Sequence, residues 1–542
     1  MGVYLNPWCY SFEEALNSDI YVDKTEMLLY LNSVIKTNQK YLSVTRPRRF
    51  GKSMAANMIC AYYGKADNNY DLFKDRKLAK HDNWDFNLGK YDVIRIVMTD
   101  FIKRDREVNN SLELLTKRIL ADFEETYSDI EYDYSSDLFY SMDKFYRKTK
   151  TPFVIVIDEW DAVFRVRRDD KEGQTKYLDF LRDWLKDKNY IALAYMTGIL
   201  PIKKYGEHSA LNMFDEYSMI QPMQLASYSG FTEDEVNELC NAYGRNFNDI
   251  KEWYDGYDVC DVIPPDPNHE ILKSKHHALY SPLSVVKALR SGIIDNYWNK
   301  TETYEALAEY IRRDYDGLKE TVALLMDGGR VKIDISKYQN DMTTFAGKDD
   351  ILTLLIHLGY LGYDNENKEV FIPNKEILDV FKTSTDDKDW VDAFEEFKNS
   401  QELLDATWAM DEQKVAKLVE AAHDKADNKT YNNEAALSYA IKYAYYAAQK
   451  YYTTIQEHDS GKGYADIVYL PSPKYPDKPV IVVELKYDKN AETAINQIKD
   501  RNYPDILSHY KNNILLVGIN YNKEVKNTST EFKHHECNIE RR

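Results

Sequence analysis

Two stretches near the front of the sequence have residue types that suit phosphate chemistry. The first, VTRPRRFGKSMAANM at 44–58, contains Gly51-Lys52-Ser53 between an apolar run and a helix-forming run. In a phosphate-binding P-loop, backbone N–H groups and a helix N-terminus hold the phosphates, the lysine adds positive charge and the serine hydroxyl binds Mg²⁺. Arg46 stands where such a loop usually has its first glycine. By itself, the stretch fits a nucleotide site and a solvent-exposed basic turn equally well.

The residues at the entrance to this loop set its expected geometry. Because a residue before proline favours an extended conformation, the chain at Arg46-Pro47 can continue from a strand before it turns. Pro47 has no N–H to offer a phosphate. Arg46, Arg48 and Arg49 could supply the charge that the backbone does not.

The second stretch, FVIVIDEWD at 153–161, is an apolar run that ends in two acids. Asp158 is suited to hold Mg²⁺ through water and Glu159 to polarise an attacking water, although such acids can also be mere helix caps. Thr197 ends the next apolar run, where it could sense a γ-phosphate or be an ordinary strand end. A P-loop and an acidic strand end in one sheet are rarely both accidental, so the pair favours a nucleotide site.

Four apolar runs have to position these residues, at 40–45, 92–98, 152–157 and 190–196. Their continuous apolar character predicts strands covered on both faces, and the long connections predict crossover helices. Residues 1–225 are therefore predicted to form a parallel α/β domain with helices on both faces of the sheet, and residues 226–345 a mostly helical region. Helix, hairpin and helix patterns predict a winged-helix-like module at 346–400, which is expected to be a spacer or docking surface.

Several motifs taken together resemble a bacterial family called AAA-ATPase-like. The matching stretches are YVDKTEML at 21–28, RPRRFGKS at 46–53, VIDEWD at 156–161, TGILPIKKYGEHSALNMFDEYSM at 197–219 and WYDGY at 253–257. The resemblance implies an AAA-type P-loop ATPase that uses ATP and Mg²⁺. It also makes Arg46 a family trait and includes Phe50 in the loop. Members of the family commonly carry a C-terminal PD-(D/E)XK nuclease domain.

The tail of the sequence holds a second set of acids with a lysine. VIVVELKYD at 480–488 puts Glu484 and Lys486 on one face of a predicted strand, with Val483 and Leu485 in the core, because strand side chains alternate. Asp466 on the preceding predicted strand could join Glu484 in binding Mg²⁺ or Mn²⁺, which prefer oxygen ligands. Such an ion makes a bound water nucleophilic, and the lysine would orient that water or stabilise developing charge.

The same residues match the PD-(D/E)XK pattern, and Gln497 in the following predicted helix matches its later glutamine. The first glutamate of the pattern is either Glu434 or Glu457, and either could equally be a surface residue. Residues 401–542 are accordingly predicted to form an α/β, restriction-endonuclease-like domain. Its predicted elements are a long helix at 433–452, strands at 465–470, 480–487 and 514–519, and a helix at 491–501.

Composition restricts the class of protein and its partners. A chain of 542 residues predicts two to four domains, and its net charge of −19 excludes a cationic coat over the whole surface. Five scattered cysteines without a C-x-x-C pair predict reduced thiols and no structural zinc site. The N-terminus does not resemble a signal peptide, and no apolar run approaches the roughly 20 residues of a membrane span. We therefore expect a cytoplasmic protein with no membrane contact.

These features predict an ATP-controlled nuclease that acts on nucleic acid, with DNA favoured over RNA. The alternative is an ATP-driven signalling or scaffold switch whose C-terminal domain binds nucleic acid or protein without cleaving it. A homo-oligomer is compatible with either function. Two histidine pairs, at 276–277 and 534–535, lack metal-ligand spacing and are predicted to lie at the surface. One arginine of the loop FRVRRDD at 164–170 could act as an arginine finger, although a solvated loop is favoured.

Overall fold

The structure, a computed structural model, divides the chain into two compact units. The first comprises residues 1–310 with 332–383, and the second residues 311–331 with 384–542. The finer domain boundaries near 225, 345 and 400 stay predictions. The described residues are 2–66, 68–128, 137–202, 211–262, 274–298, 307, 309–311, 317–339, 342–385, 388–425, 441, 444–456, 467–487, 489–500, 513–522 and 534–542.

A parallel five-stranded sheet forms the core of the first unit, as predicted. Its strands are β1 (Tyr41–Thr45), β2 (Asp92–Val97), β3 (Phe153–Asp158), β4 (Ile191–Gly198) and β5 (Asp215–Tyr217), in the spatial order β2-β3-β4-β1-β5. Every residue of β1, β3 and β4 is buried, which explains their continuous apolar runs. The short β5 carries two acids in three residues and was not predicted. In this order β4 lies between the P-loop strand β1 and the acidic strand β3.

Helices connect and cover these strands. They are α1 (Tyr10–Leu16), α2 (Met27–Val34), α3 (Lys52–Tyr63), α4 (Asn69–Phe73), α5 (Val108–Thr126), α6 (Leu138–Thr149), α7 (Ala162–Val166) and α8 (Lys171–Leu185). Short 3₁₀ turns span Lys77–Lys80, Met98–Asp100 and Met223–Tyr228. Apolar residues of α1, α2 and α3 pack with β1 and β3 in one continuous core.

The middle of the chain is mainly helical and also contains a small sheet that the sequence pattern did not reveal. Its elements are β6 (Phe231–Thr232), α9 (Glu233–Tyr243), α10 (Phe247–Tyr254), β7 (Tyr257–Val262), β8 (Ser274–Tyr280) and α11 (Pro282–Ser291), with the strand order β6-β8-β7. The long antiparallel β7–β8 pair contains histidines and acids, so it lacks the apolar alternation that marks a strand.

Helix, hairpin and helix follow one another in the predicted order at the end of the first unit. The elements near and within this segment are α12 (Leu318–Met326), β9 (Val331–Lys332), a 3₁₀ turn at Ile335–Lys337, α13 (Lys348–Leu358), β10 (Gly362–Asp364), β11 (Glu369–Phe371) and α14 (Lys375–Ser384). The hairpin pairs Gly362 with Phe371. Of these elements, α12 belongs to the second unit.

A mixed five-stranded sheet forms the core of the second unit. Its elements are α15 (Lys388–Trp408), α16 (Glu412–Lys425), β12 (Tyr452–Gln456), β13 (Ile467–Pro471), β14 (Val480–Tyr487), α17 (Ala491–Asp500), β15 (Ile514–Tyr521) and β16 (His535–Arg541). The strands follow one another in chain order across the sheet, and only β14 and β15 are parallel.

The predicted long helix at 433–452 is wrong at its C-terminal end. A 3₁₀ turn spans Tyr446–Lys450, and β12 begins at Tyr452. The segment Tyr452–Gln456 combines aromatic and β-branched residues, and β13 offers it an antiparallel partner, so sheet pairing prevails over the helical stripe. Residues 433–440 lie outside the described part of the chain.

Among the helices that the structure describes, none combines the length and the apolar character that crossing a membrane would require.

Candidate functional site

The loop after β1 turns the chain directly into α3. Arg49 and Gly51 hold left-handed conformations in this turn, with φ of 70° and 84°. A Cβ added at Gly51 would meet nothing within 4 Å, so glycine is favoured there for its backbone conformation rather than for space. The turn leaves the first N–H groups of α3 without helical partners, which is the arrangement that holds phosphate.

The Lys52 side chain folds back over this loop. Its Nζ donates hydrogen bonds to the carbonyl oxygens of Arg46 and Pro47, at 3.0 and 2.7 Å. Burial lowers the pKa of Lys52 to about 8, although the nearby carboxylates of Asp161 and Asp158 oppose this shift. Because the two acceptors are neutral, the ammonium group keeps its charge for an anion at the start of α3.

Asp158, at the end of β3, is 2% exposed and lies beside Ser53. Burial raises the pKa of Asp158, whereas a hydrogen bond with the Ser53 side chain and the positive charge of Arg95 lower it. The Arg95 Nη2 atom lies 4.0 Å from Asp158 Oδ2. A hydroxyl and a carboxylate thus meet next to the phosphate-binding turn, and these oxygen donors fit Mg²⁺.

Glu159 follows in a left-handed conformation, with φ of 52°. In a residue other than glycine this costs about 1–3 kcal/mol, and such residues cluster at functional sites. Its N–H donates to Asp158 Oδ1 at 3.0 Å, and its Oε2 accepts from Arg165 Nη2 at 2.9 Å. The carboxylate expected to polarise water is therefore held by an arginine of the same chain.

Asp161, which sequence reasoning missed, organises the neighbouring strand end. It is fully buried, and its Oδ2 accepts from the N–H groups of Ile199 and Leu200, at 3.1 and 3.0 Å. The same oxygen accepts from Arg165 Nε at 3.1 Å, so Arg165 joins Asp161 to Glu159. The only signal in the sequence is the third acid of the DEWD stretch.

Thr197 lies directly beside Asp158 in the sheet, since the two are register partners on β4 and β3. Its side chain is fully buried, and within the described ranges its Oγ1 has no hydrogen-bond partner. A buried hydroxyl without a partner is costly, so a ligand group that bonded to it would relieve that cost.

Arg46 requires a correction, because its side chain does not supply charge to a phosphate. The guanidinium is fully buried and donates to the carbonyl oxygens of Thr45 at 2.8 Å, Tyr217 at 2.6 Å and Leu225 at 3.2 Å. Burial lowers its pKa to about 10. Arg46 instead fastens the end of β1 to β5 and to the turn at 223–228.

Of the other loop residues, Arg48 and Arg49 line a cavity, whereas Phe50 packs mainly in the core. Arg48 and Arg49 line the nucleotide-sized cavity described below, and Arg49 Nη1 also donates to the Tyr297 carbonyl at 3.3 Å. Phe50 is fully buried, with its ring edge-on to Tyr257 at 5.4 Å. It also contributes to the cavity wall, so its packing role and a contact with a bound ligand are both compatible with its position.

Residues 48–53 of the P-loop, together with Glu159, Asp161 and Arg165, line one cavity of about 840 Å³. Its polar wall comes from the P-loop and the acidic strand end, with Lys52, Ser53, Glu159, Asp161 and Arg165 among the lining residues. Its apolar wall includes Ile20, Val22, Phe231, Leu283 and Val286. The volume and the two kinds of lining suit a nucleotide, whose phosphates are charged and whose base is flat and largely apolar.

The second predicted cluster lies on β14. Glu484 and Lys486 are 1% and 6% exposed, and Lys486 Nζ donates to Glu484 Oε1 at 2.9 Å. Val483 and Leu485 pack into the core on the opposite face, as predicted. Val480 and Val482 share the face of Glu484 and pack with Ile495 and Ile498 of α17.

Gly518 brings the start of α17 close to Glu484. It is the register partner of Glu484 on β15, and a Cβ added there would lie 2.5 Å from the Ala491 carbonyl oxygen. A side chain at this position would therefore push α17 off the sheet. Gln497 lies further along α17 and is half-exposed.

The other predicted ligands of this cluster, Asp466, Glu434 and Glu457, lie outside the described residues. Within the described ranges no group of three or more His, Cys, Asp or Glu side chains could hold a metal ion. Glu484 offers the carboxylate oxygen that Mg²⁺ or Mn²⁺ prefers, but it cannot hold such an ion alone. The metal site therefore stays a prediction.

Two regions of the chain match known protein families. Residues 10–206 match the family described as a predicted AAA-ATPase, and residues 433–531 match the PD-(D/E)XK nuclease superfamily. The chain therefore joins an AAA-ATPase domain to a PD-(D/E)XK nuclease domain. The first match contains the complete P-loop and the acidic strand end, and the second contains Glu484, Lys486 and Gln497.

No curated protein matches the chain significantly. Among solved structures, the ORC2 protein of Aeropyrum pernix in ADPNP and ADP complexes is 10% identical with a TM-score of 0.27, covering 68% of this chain and 96% of that one. PCH-2 of C. elegans is 12% identical with a TM-score of 0.24, covering 71% and 74%. With TM-scores this low, the similarity to these structures carries no argument about the function of either domain.

A second prediction about the nuclease domain, the surface position of the histidine pair at 534–535, is wrong for His535. His535 is buried rather than at the surface, because α16 packs against β16 and brings Glu420 to it. Its Nδ1 lies 3.1 Å from Glu420 Oε2, and Glu420 also accepts from the N–H groups of His534 and His535. Burial alone would raise the pKa of Glu420, but these bonds lower it to about 2.

Proposed function

We propose that the protein binds and hydrolyses ATP with Mg²⁺ in the cavity of the first unit, and that this controls metal-dependent phosphodiester cleavage of DNA or RNA by the second unit. The observation that carries the proposal is the assembly of Lys52, Ser53, Asp158, Glu159 and Thr197 at one edge of the sheet. Three of them line a nucleotide-sized cavity, and Asp158 and Thr197 are neighbours at the adjoining strand ends.

Each residue has a role that follows from its geometry. The turn before α3 and the Lys52 ammonium would bind the β and γ phosphates, and Ser53 with Asp158 would hold Mg²⁺, which offsets phosphate charge. Glu159 would take up the proton of an attacking water after its carboxylate turns from Arg165. Thr197 would donate its unused hydroxyl to the γ-phosphate or the attacking water.

Contacts within the first unit support ATP-dependent control. Pro47 lies so close to Gly359 that a Cβ added there would be 2.7 Å from Pro47 Cβ. The Tyr257 hydroxyl donates to the Gly359 carbonyl at 2.5 Å, while its ring contacts Phe50. The P-loop is thus packed against α13 through the WYDGY stretch, so a movement of the loop on ATP binding would reach that helix.

In the second unit, Glu484 would serve as a metal ligand together with Asp466, and Lys486 would orient water or stabilise the charge that develops on the phosphate. The divalent ion supplies the activation of that water. The proposed substrate is DNA in preference to RNA, and the net charge of −19 requires local contacts to bind it.

The alternative function is an ATP-driven switch whose second unit binds nucleic acid or protein without cutting it. One observation favours it: Glu484 is already paired with Lys486. An ion would have to compete with Lys486 for this carboxylate, and a unit that never binds metal would keep the pair as a structural element.

Two alanine variants test the proposal in the full-length protein. Lys52→Ala should abolish ATP hydrolysis, and Lys486→Ala should abolish Mg²⁺- or Mn²⁺-dependent cleavage of DNA and RNA while ATP hydrolysis continues. Lys117→Ala and Lys499→Ala change exposed lysines of the same two units and should leave both activities unchanged. Phosphate release and gel assays measure the activities, and thermal melting shows that each variant is folded.

The outcomes separate the two functions. Cleavage that persists in Lys486→Ala would rule out the assigned nuclease site, and ATP hydrolysis without any cleavage by the wild-type protein would favour the switch. If ATP controls cleavage, the rate in wild type should differ between ATP and ADP, and that difference should vanish in Lys52→Ala.

A further inference from the structure

A second cavity lies at the edge of the five-stranded sheet opposite the P-loop. It has a volume of about 550 Å³ and is lined by residues that precede strands: Lys36 comes before β1, Tyr91 before β2 and Pro152 before β3. The P-loop follows the end of β1, and Asp158 is the last residue of β3. Since these strands are parallel, this basic cavity is separate from the ATP site.

The lining of the basic cavity contains three lysines and no acid. Lys36, Lys90 and Lys150 are exposed, and among the described residues none of them has a carboxylate within the 4.0 Å of an ion pair. The cavity therefore presents concentrated positive charge to solvent, which attracts anions.

Two of the three lysines stand on fixed turns of the backbone. Lys36 and Lys150 both have φ of 60°, a left-handed conformation that is uncommon in residues with side chains. The Lys36 N–H donates to the Ala192 carbonyl at 2.9 Å, and the Lys150 N–H donates to the Tyr146 carbonyl at 2.8 Å. Their Cα positions at the mouth of the cavity are thus set by the ends of strands and helices.

Aromatic rings accompany the lysines. Lys36 Nζ lies 4.9 Å from the centre of the Tyr91 ring, and Lys90 Nζ lies 4.5 Å from that of Phe86. An ammonium group over a ring face keeps N–H donors for another partner. Phe86 is 66% exposed, so it also offers a flat apolar surface on which a base could stack.

We propose that the basic cavity binds a nucleotide phosphate, with Lys36, Lys90 and Lys150 neutralising the anion and Phe86 contacting the base. The phosphate can belong to a free nucleotide or to one unit of a single-stranded nucleic acid. This site does not depend on either proposed activity, because it shares no residue with the P-loop or with β14.

The test measures binding of a fluorescein-labelled 15-nucleotide oligothymidylate by fluorescence anisotropy, with dTMP as unlabelled competitor. The full-length Lys52→Ala protein serves as the background, so that the P-loop lysine does not contribute, and EDTA prevents cleavage. Three further sets of changes are compared on this background. They are K36Q/K90Q/K150Q, the charge-retaining K36R/K90R/K150R, and K117Q/K332Q/K414Q, which removes three exposed lysines elsewhere.

The glutamine set at the cavity should weaken oligonucleotide binding at least about tenfold and lower the salt dependence, the slope of log K against log salt, by about 2. The arginine set and the distant glutamine set should bind like the background. Displacement by dTMP identifies a free-nucleotide site, and its failure to displace identifies a strand-binding site. Equal binding by the two glutamine sets, or no binding of either probe to the background protein, would overturn the proposal.

Discussion

Two buried cations of the first unit, Lys52 and Arg46, and one of the second unit, Lys486, are held in opposite ways. In the first unit, Lys52 and Arg46 donate to backbone carbonyls, which are neutral, so both cations keep their full charge. In the second unit, Lys486 donates to the Glu484 carboxylate, so the pair carries no net charge. At Lys52, which lines the cavity, the full charge is available to an anion alone. The Glu484–Lys486 pair can bind an anion only together with a metal ion that replaces Lys486 as the partner of the carboxylate.

The largest expected effect breaks the pair in the second unit. Glu484→Gln leaves Lys486 buried without its carboxylate, which should destabilise this sheet by about 3–5 kcal/mol. Adding Lys486→Met removes the unpaired charge and should recover most of that loss. Hydrogen exchange of the β14 and β15 amides measures both changes within one unit of the full-length protein.

The exposed pair of Lys499 with Glu540 provides a matched control, since the two side chains are about 40% exposed. Glu540→Gln should change the exchange of the same sheet by less than about 1 kcal/mol. If Glu484→Gln and its double variant were equally stable, the ion pair would not be the feature that distinguishes the second unit.

A smaller loss of stability is expected when Arg46, a buried cation of the first unit, is replaced. Arg46→Met leaves the carbonyls of Thr45, Tyr217 and Leu225 without this donor and should cost about 3 kcal/mol, counting about 1 kcal/mol, the lower end of the usual range, for each carbonyl. Exchange of the β1 and β5 amides measures it. Arg48→Met, on the cavity wall, should leave their exchange unchanged, and equal losses in both variants would remove the structural role from Arg46.

These roles show how far the sequence could predict the molecule. The parallel sheet was predictable because β1, β3 and β4 are buried on both faces, and Lys52 and Ser53 were predictable because a turn and a helix start are local features. The bonds of Arg46 to residues 217 and 225 depend on contacts between distant parts of the chain. Spacing along the sequence does not reveal such contacts.

The second unit shows the same limit at other elements. The Ala- and Tyr-rich run before residue 452 is compatible both with a helix that continues and with a helix that ends there. Only the pairing of β12 with β13 shows that the chain is a strand from Tyr452. The strand β16, with the sequence HECNIER, has too many charged residues to show an apolar alternation. Of the candidate metal site, the Glu484–Lys486 face followed from strand periodicity, while Asp466 and Glu434 are still predictions.

A pH series tests how ATP affinity depends on the charge of Lys52, whose hydrogen-bond partners are neutral carbonyls. Because burial lowers the pKa of Lys52 from 10.5 to about 8, the free protein loses this charge as pH rises through 8. ATP affinity should then fall about twenty-fivefold between pH 7.5 and 9.5. Between pH 8 and 10.5 the unfolded chain holds this proton more tightly than the folded one, so stability rises with pH while affinity falls.

Binding of a fluorescent ATP analogue over this pH range measures the effect, and Lys52→Arg serves as control. Arginine stays charged throughout, so its affinity, although weaker at pH 7.5, should vary little with pH. Identical pH profiles for the two proteins would mean that another group governs the decline.

The smallest effect is expected from the buried hydroxyl of Thr197, which has no hydrogen-bond partner in the described part of the chain. Thr197→Val has nearly the same shape, and removing an unpaired hydroxyl should leave the stability of the unit unchanged or slightly higher. The kcat for ATP hydrolysis should nevertheless fall about tenfold, because a hydrogen bond to a charged group is worth about 1.5 kcal/mol or more. Thr197→Ser should show the reverse, with a nearly normal kcat and a loss of about 1 kcal/mol from the missing methyl group. A normal kcat in Thr197→Val would show that this hydroxyl does not contact the reacting phosphate.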